Sequence, residues 1–137
     1  MKTTNYYNTF IQVAADCPAE LAEIPPRKNA DKTTATIQFE LIYDNPYQYT
    51  SDDVLFEAYA IKQNINSAAY KPAREAFFSK GQPCFRASPL TKRYGWGVHC
   101  NAEGKIALYA VESDEYRHLT QNNQISHVKA MRLKREK

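Results

Sequence analysis

The chain has 137 residues, 43% of them hydrophobic and 24% charged, with a formal net charge of +3. That length corresponds to one domain, long enough to bury about two-thirds of its unfolded surface, and the composition excludes global disorder. Three cysteines, Cys17, Cys84 and Cys100, odd in number and without a CxxC pair or metal-type spacing, argue against a disulfide framework and a zinc site, and no metal or cofactor is expected.

Residues 6 to 14, YYNTFIQVA, carry the aromatic and β-branched types of a first strand, which D-C-P then stops. The start of the chain has no apolar signal segment, and no run is long enough to span a membrane, so the sequence reads as cytoplasmic with reduced thiols and no membrane partner. From Pro18 to Lys32 the polar stretch containing Pro25 and Pro26 reads as an ordered surface loop, or equally as a flap.

In TTATIQFELIYDNP, the alternation of Ala35, Ile37, Phe39, Leu41 and Tyr43 fits a strand, while the threonine cap and closing Asn-Pro fit a helix; residues 33 to 44 are read as a helix. Thr50 then caps a clearer helix with Asp52 and Asp53 in its first turn and Val54, Leu55, Ala58, Ile61 and Ile65 on one face. Thr50 and Asp53 have the spacing of a capping box, so both acids are helix-starting residues before they are a catalytic or metal-binding pair. Pro72 opens another helix that stops at Lys80-Gly81.

The next segment, R-A-S-P-L-T-K-R-Y-G-W-G-V-H-C from Arg86 to Cys100, concentrates the unusual chemistry: three cations, the only Trp, a histidine and two glycines. Ser88-Pro89 has the form of an N-cap followed by a first helical residue, which presents the N–H groups of Leu90 and Thr91. With Arg86, Lys92 and Arg93 around it, this cap is a candidate anion site; its competitor is a solvated turn.

N-A-E-G then makes a hairpin turn with Gly104 in the left-handed region, which pairs Asn101 with Lys105 and fixes the register of both strands. One face carries Tyr94, Trp96, Val98, Cys100, Ile106, Leu108 and Ala110 and belongs to the core. The other shows Gly95, Gly97, His99, Ala107, Tyr109 and Val111, a shallow floor that could admit a ligand; the competing reading has Tyr109 covering Gly97 beneath a helix. His99 and Cys100 point to opposite faces and so form no dyad.

A short helix opens at S-D-E-Y and a last strand lies near I-S-H-V-K-A-M. Lys129, Arg132, Lys134, Arg135 and Lys137 against Glu136 place the excess charge in the last nine residues, as a basic tail from 132 to 137 on an otherwise near-neutral body. Nucleic acid is not expected on that distribution, since it needs a basic face on the fold itself.

At R-A-S-P-L-T-K-R-Y-G-W-G-V-H, G-K-I-A-L-Y-A-V-E-S, T-N-Y-Y-N-T-F-I and N-P-Y-Q-Y-T-S-D-D-V-L-F, the sequence resembles a family of small bacterial proteins known only as a domain of unknown function. Cys100 stands where the family pattern has a second histidine, which argues against a His-His metal pair at 99 and 100. The resemblance implies one full-length domain in a bacterial cytosol and supplies no catalytic residue.

The expected architecture is a two-layer α+β domain over residues 1 to 137, a mostly antiparallel sheet with helices packed on one face. The leading functional expectation is a binding module for a small anionic or phosphorylated ligand held by Arg86, Ser88, Lys92, Arg93 and Tyr109. The alternatives are an enzyme using His99 as general acid or base, and a protein or nucleic-acid interaction module built on the tyrosines and the basic tail. An exposed aromatic face would favour a homodimer.

Overall fold

The computed structural model describes residues 2–27 and 32–134. Its centre is a four-stranded sheet in the order β3-β2-β1-β4, formed by β1 (Thr9–Gln12), β2 (Trp96–Cys100), β3 (Ile106–Ala110) and β4 (Ser126–Lys129). The pairs β1/β2 and β2/β3 are antiparallel, and β4 runs parallel to β1 along the far edge. The first strand is shorter than the apolar run suggests because Asn8 takes φ 47, a left-handed conformation that asparagine tolerates and a ladder does not.

The hairpin has the expected register, with Cys100 opposite Ile106, Val98 opposite Leu108 and Trp96 opposite Ala110. Asn101 Oδ1 accepts from the N–H groups of Glu103 and Lys105, and Gly104 sits at φ 80. Across the core face, Ile11, Val98, Cys100 and Ile106 meet Phe39 and Ile42 of α1 (Thr34–Tyr43), Val54 of α2 (Ser51–Lys62) and Leu90 of α4 (Pro89–Lys92). Each large side chain buried there contributes about 1.5 to 3 kcal/mol.

The ambiguous segment is the helix α1, started by Thr33, whose side chain accepts from the Thr36 N–H. Ala35, Thr36, Ile37, Gln38, Phe39 and Ile42 are all buried, so this helix is enclosed on several sides. A single apolar stripe is then not required, and the strand-like alternation carries no information about period.

Helix α2 has the full capping box between Thr50 and Asp53. Its apolar residues serve two neighbours: Val54 faces the sheet core, while Phe56 and Ala60 join Phe78 of α3 (Tyr70–Ser79) in a second cluster, leaving Ile61 exposed. Asp52 is buried and accepts from Thr3 Oγ1, Thr4 Oγ1 and the Thr4 N–H, each at 2.7 Å, so it anchors the N-terminal arm besides starting a helix.

On the opposite face of the sheet lies the short α5 (Asp114–Thr120), capped by Ser113. Its Tyr116 meets Phe10 edge-on at 5.0 Å and accepts from the Val13 N–H. The fold is thus α+β, with most helices on one face of the sheet and α5 on the other. The loop after β1 is tied down where Trp96 Nε1 donates to the Glu23 carbonyl and Glu23 N–H to that of Tyr94.

At the C-terminal end, the N–H groups of Leu133 and Lys134 both donate to Asp16, which holds that exposed carboxyl below its ordinary range. Arg135, Glu136 and Lys137, the end of the basic tail, lie outside the described residues. No helix among the described residues is long and apolar enough to cross a membrane.

Candidate functional site

Ser88 does cap α4, but its surroundings leave no anion cradle. The Ser88 hydroxyl accepts from the Leu90 N–H at 3.1 Å, its carbonyl takes the Thr91 N–H at 3.1 Å, and Leu90 and Thr91 are buried. Both amides that the sequence left open are therefore satisfied internally. Arg86 is engaged elsewhere: its Nε donates to the Lys129 carbonyl and its own carbonyl accepts from Met131, both at 2.7 Å, stapling the turn after Cys84 to the end of β4. Lys92 and the exposed Arg93 make no side-chain hydrogen bond or ion pair within the described protein.

Tyr109 lies on the other face of the sheet from Ser88, since it alternates with the core residue Leu108. The five expected ligand-binding residues, Arg86, Ser88, Lys92, Arg93 and Tyr109, are thus distributed over two faces and one edge. The glycine floor is also filled: a Cβ on Gly97 would stand 2.7 Å from ring atoms of both Phe10 and Tyr116. Glycine is there because two rings occupy the space, and the helix bearing Tyr116 is the cover, with Tyr109 beside it.

His99 has a partner that sequence reading missed. Its Nδ1 lies 2.8 Å from the Tyr47 hydroxyl, which lies 2.7 Å from the Tyr109 hydroxyl. Tyr47 is held at φ 60, costly for a bulky residue, while its N–H donates to the Ile106 carbonyl on the edge of β3. Burial pushes the His99 imidazole below its ordinary range and, with the Tyr109 bond second, the Tyr47 phenol well above its own. Only the neighbouring Asn-Pro helix stop marked this position in the sequence.

A cavity of about 350 Å³ lies between α1, α2, α3 and residues 82–89. Its apolar walls include Leu55, Ala87, and the rings of Tyr59 and Phe77, whose centroids are 4.7 Å apart. Exposed Lys62 and Gln63 stand at the mouth, and Gln38 and Ser88, 5% and 6% exposed, at the inner end.

The Ser88 hydroxyl donates to Gln38 Oε1 at 3.0 Å, which leaves Nε2 as the other group of that amide. Gln38 Nε2 makes no hydrogen bond within the described protein and is not sealed from solvent, and Gln38 lines the cavity. Such a donor pairs with a carbonyl or carboxylate oxygen. The only trace of it in the sequence is a polar residue between Ile37 and Phe39.

Cys84 also lines this cavity, with its Sγ 3.5 Å from the Tyr6 hydroxyl. Burial, then the Cys84 contact, raises the Tyr6 phenol, against an opposing pull from the Arg86 guanidinium. Cys100, by contrast, is sealed in the core, where burial pushes its thiol up to about 12.

A second hollow, about 490 Å³, lies beside α2 and α3. Its charged groups satisfy one another: Arg74 pairs with Asp53 at 2.9 Å, and the Tyr70 hydroxyl donates to Glu57 at 2.7 Å. Among the described residues no group of three or more His, Cys, Asp or Glu side chains is placed to hold a metal ion.

No curated protein and no solved structure matches the chain. A family model does match, over residues 1–136, and by it the chain belongs to the family of unknown function DUF6157.

Proposed function

We propose that this protein is a binding module for a small molecule with an apolar body and a carbonyl or carboxylate end, taken into the cavity between α1, α2, α3 and residues 82–89. The observation that carries the reading is Gln38 Nε2, a donor without a protein partner on a buried side chain that lines that space. A ligand oxygen there would accept from an amide N–H that the protein itself leaves unpaired, a hydrogen bond worth about 0.5 to 1.5 kcal/mol net. The volume suits a small organic molecule, and Lys62 at the mouth favours a negative charge there. The anionic-ligand reading thereby moves from the Ser88 cap to the cavity behind it.

A thermal-shift panel of phenylacetate, benzoate and cyclohexanone tests this. At least one compound should raise the melting temperature of the wild type and leave Gln38→Met unmoved. No shift with any member, or equal shifts in both proteins, would overturn it. Should Gln38→Met fold poorly, the double variant Ser88→Ala/Gln38→Met removes the orphaned hydroxyl and serves instead.

A second reading keeps His99 as a general base, favoured by the Tyr47–His99–Tyr109 chain and by an imidazole that burial keeps neutral. Any turnover of carbonyl compounds should then vanish in His99→Gln and persist in Gln38→Met. The reverse pattern assigns the chemistry to the cavity.

A further inference from the structure

Three cysteines occupy three environments. Cys100 is sealed in the sheet core, and Cys17, half-buried, is not part of the cavity wall, whereas Cys84 lines the same cavity as Gln38. A thiol by itself says little. Here it shares a cavity with Gln38, a 95% buried residue whose Nε2 has no protein partner, and an electrophile that uses both must carry an acceptor oxygen. A disulfide has no such oxygen for Gln38, and a saturated ketone offers a thiol only readily reversed addition.

We infer that the cavity is a covalent trap for α,β-unsaturated carbonyl compounds, with Cys84 as the nucleophile and Gln38 Nε2 as the hydrogen-bond donor to the carbonyl oxygen. This rests on the cavity being a ligand site. In the step, the Cys84 thiol gives its proton to water and the thiolate sulfur bonds to the β-carbon. The electron pair of the alkene moves to the carbonyl oxygen, where the enolate accepts from Gln38 Nε2. Water then returns a proton to the α-carbon, leaving a saturated thioether; nothing is oxidised or reduced and no group leaves.

The Tyr6 hydroxyl, 3.5 Å from the sulfur, is the neighbouring donor for the thiolate, and it stays a phenol because burial raises it. A six-membered enone is small enough for 350 Å³, with the rings of Tyr59 and Phe77 against its carbon skeleton.

Intact-mass and peptide-mapping kinetics with 2-cyclohexen-1-one test the inference, with iodoacetamide as a thiol probe that forms no enolate. The wild type should gain one adduct, on Cys84, with a rate that saturates in enone, and Cys84→Ser should gain none at that rate. Gln38→Met should slow the enone about tenfold or more, as loss of an oxyanion donor does, without slowing iodoacetamide. The double variant Ser88→Ala/Gln38→Met repeats this if the single one is unfolded.

Equal enone rates at Cys84 and Cys17, or a Gln38→Met effect that is the same for both reagents, would overturn it. Cyclohexanone binding to Cys84→Ser separates the two readings: if it persists while no enone adduct forms on the wild type, the trap fails and the binding module stands. If neither cyclohexanone nor phenylacetate nor benzoate binds, the failure lies in the binding module.

Discussion

The Ser88 hydroxyl and the Gln38 side chain are joined by a buried 3.0 Å hydrogen bond across 50 positions of sequence. That contact ties the turn before α4 to the middle of α1, where Gln38 and Ser88 both line the cavity. Ser88→Ala should lose about 1 to 2 kcal/mol, since it removes both the cap of α4 and the donor to Gln38. In a urea-denaturation cycle the double variant Ser88→Ala/Gln38→Met should cost less than the sum of the singles by about 1 kcal/mol, because residues in contact couple. Strict additivity would mean the bond contributes nothing.

Gly97 is fixed by what lies above it. Gly97→Ala should destabilise the fold by about 1 to 3 kcal/mol, because the new methyl meets the Phe10 and Tyr116 rings at 2.7 Å. In a Tyr116→Ala background the same substitution should cost measurably less, as chemical denaturation would show. An equal cost in both backgrounds would place the strain in the backbone instead.

Asp52 holds the N-terminal arm through three hydrogen bonds from Thr3 and Thr4. Asp52→Ala should cost about 2 to 4 kcal/mol, the range for breaking a buried network to a charged group. Limited proteolysis should then cut within residues 2 to 8 before anywhere else. Asp53→Ala, which loses the carboxylate half of the capping box and the Arg74 pair, should leave the arm protected.

The pH dependence of stability follows from His99. Burial lowers its folded-state pKa below the ordinary imidazole value, so between those two values the unfolded chain binds more protons than the folded one. Stability should therefore fall as pH drops from 6.5 toward the folded pKa, and be fully present above 6.5. His99→Gln should remove that component, read as a smaller difference in melting temperature between pH 7 and pH 5 than in the wild type.

Much of this fold was legible because its signals are local. The Asn101-to-Lys105 turn fixed the hairpin register, and Thr50 with Asp53, Ser88 with Pro89, and Ser113 marked three helix starts through short-range capping chemistry. Strand order was not legible, since β1 and β4 pair across more than 100 residues with no local signal.

The expected site residues do not converge, for a related reason. Arg86, Ser88, Lys92 and Arg93 are neighbours in sequence, and adjacency there is not convergence in space. Arg86 is spent on β4 and Ser88 on Gln38. Gln38 and Tyr47 went unnoticed because a buried amide inside an apolar helix, or a tyrosine after a proline, acquires its role only from partners at least 50 residues away.

The most direct measurement is heteronuclear NMR of the side-chain amide of Gln38 during titration with phenylacetate. The binding-module account predicts saturable shifts of the Gln38 NH2 pair, accompanied by the backbone amides of Leu55, Cys84 and Ala87 around the cavity. Shifts confined to His99, Tyr109 and the opposite sheet face, or a Gln38 NH2 pair that stays still while the ligand binds, would contradict it.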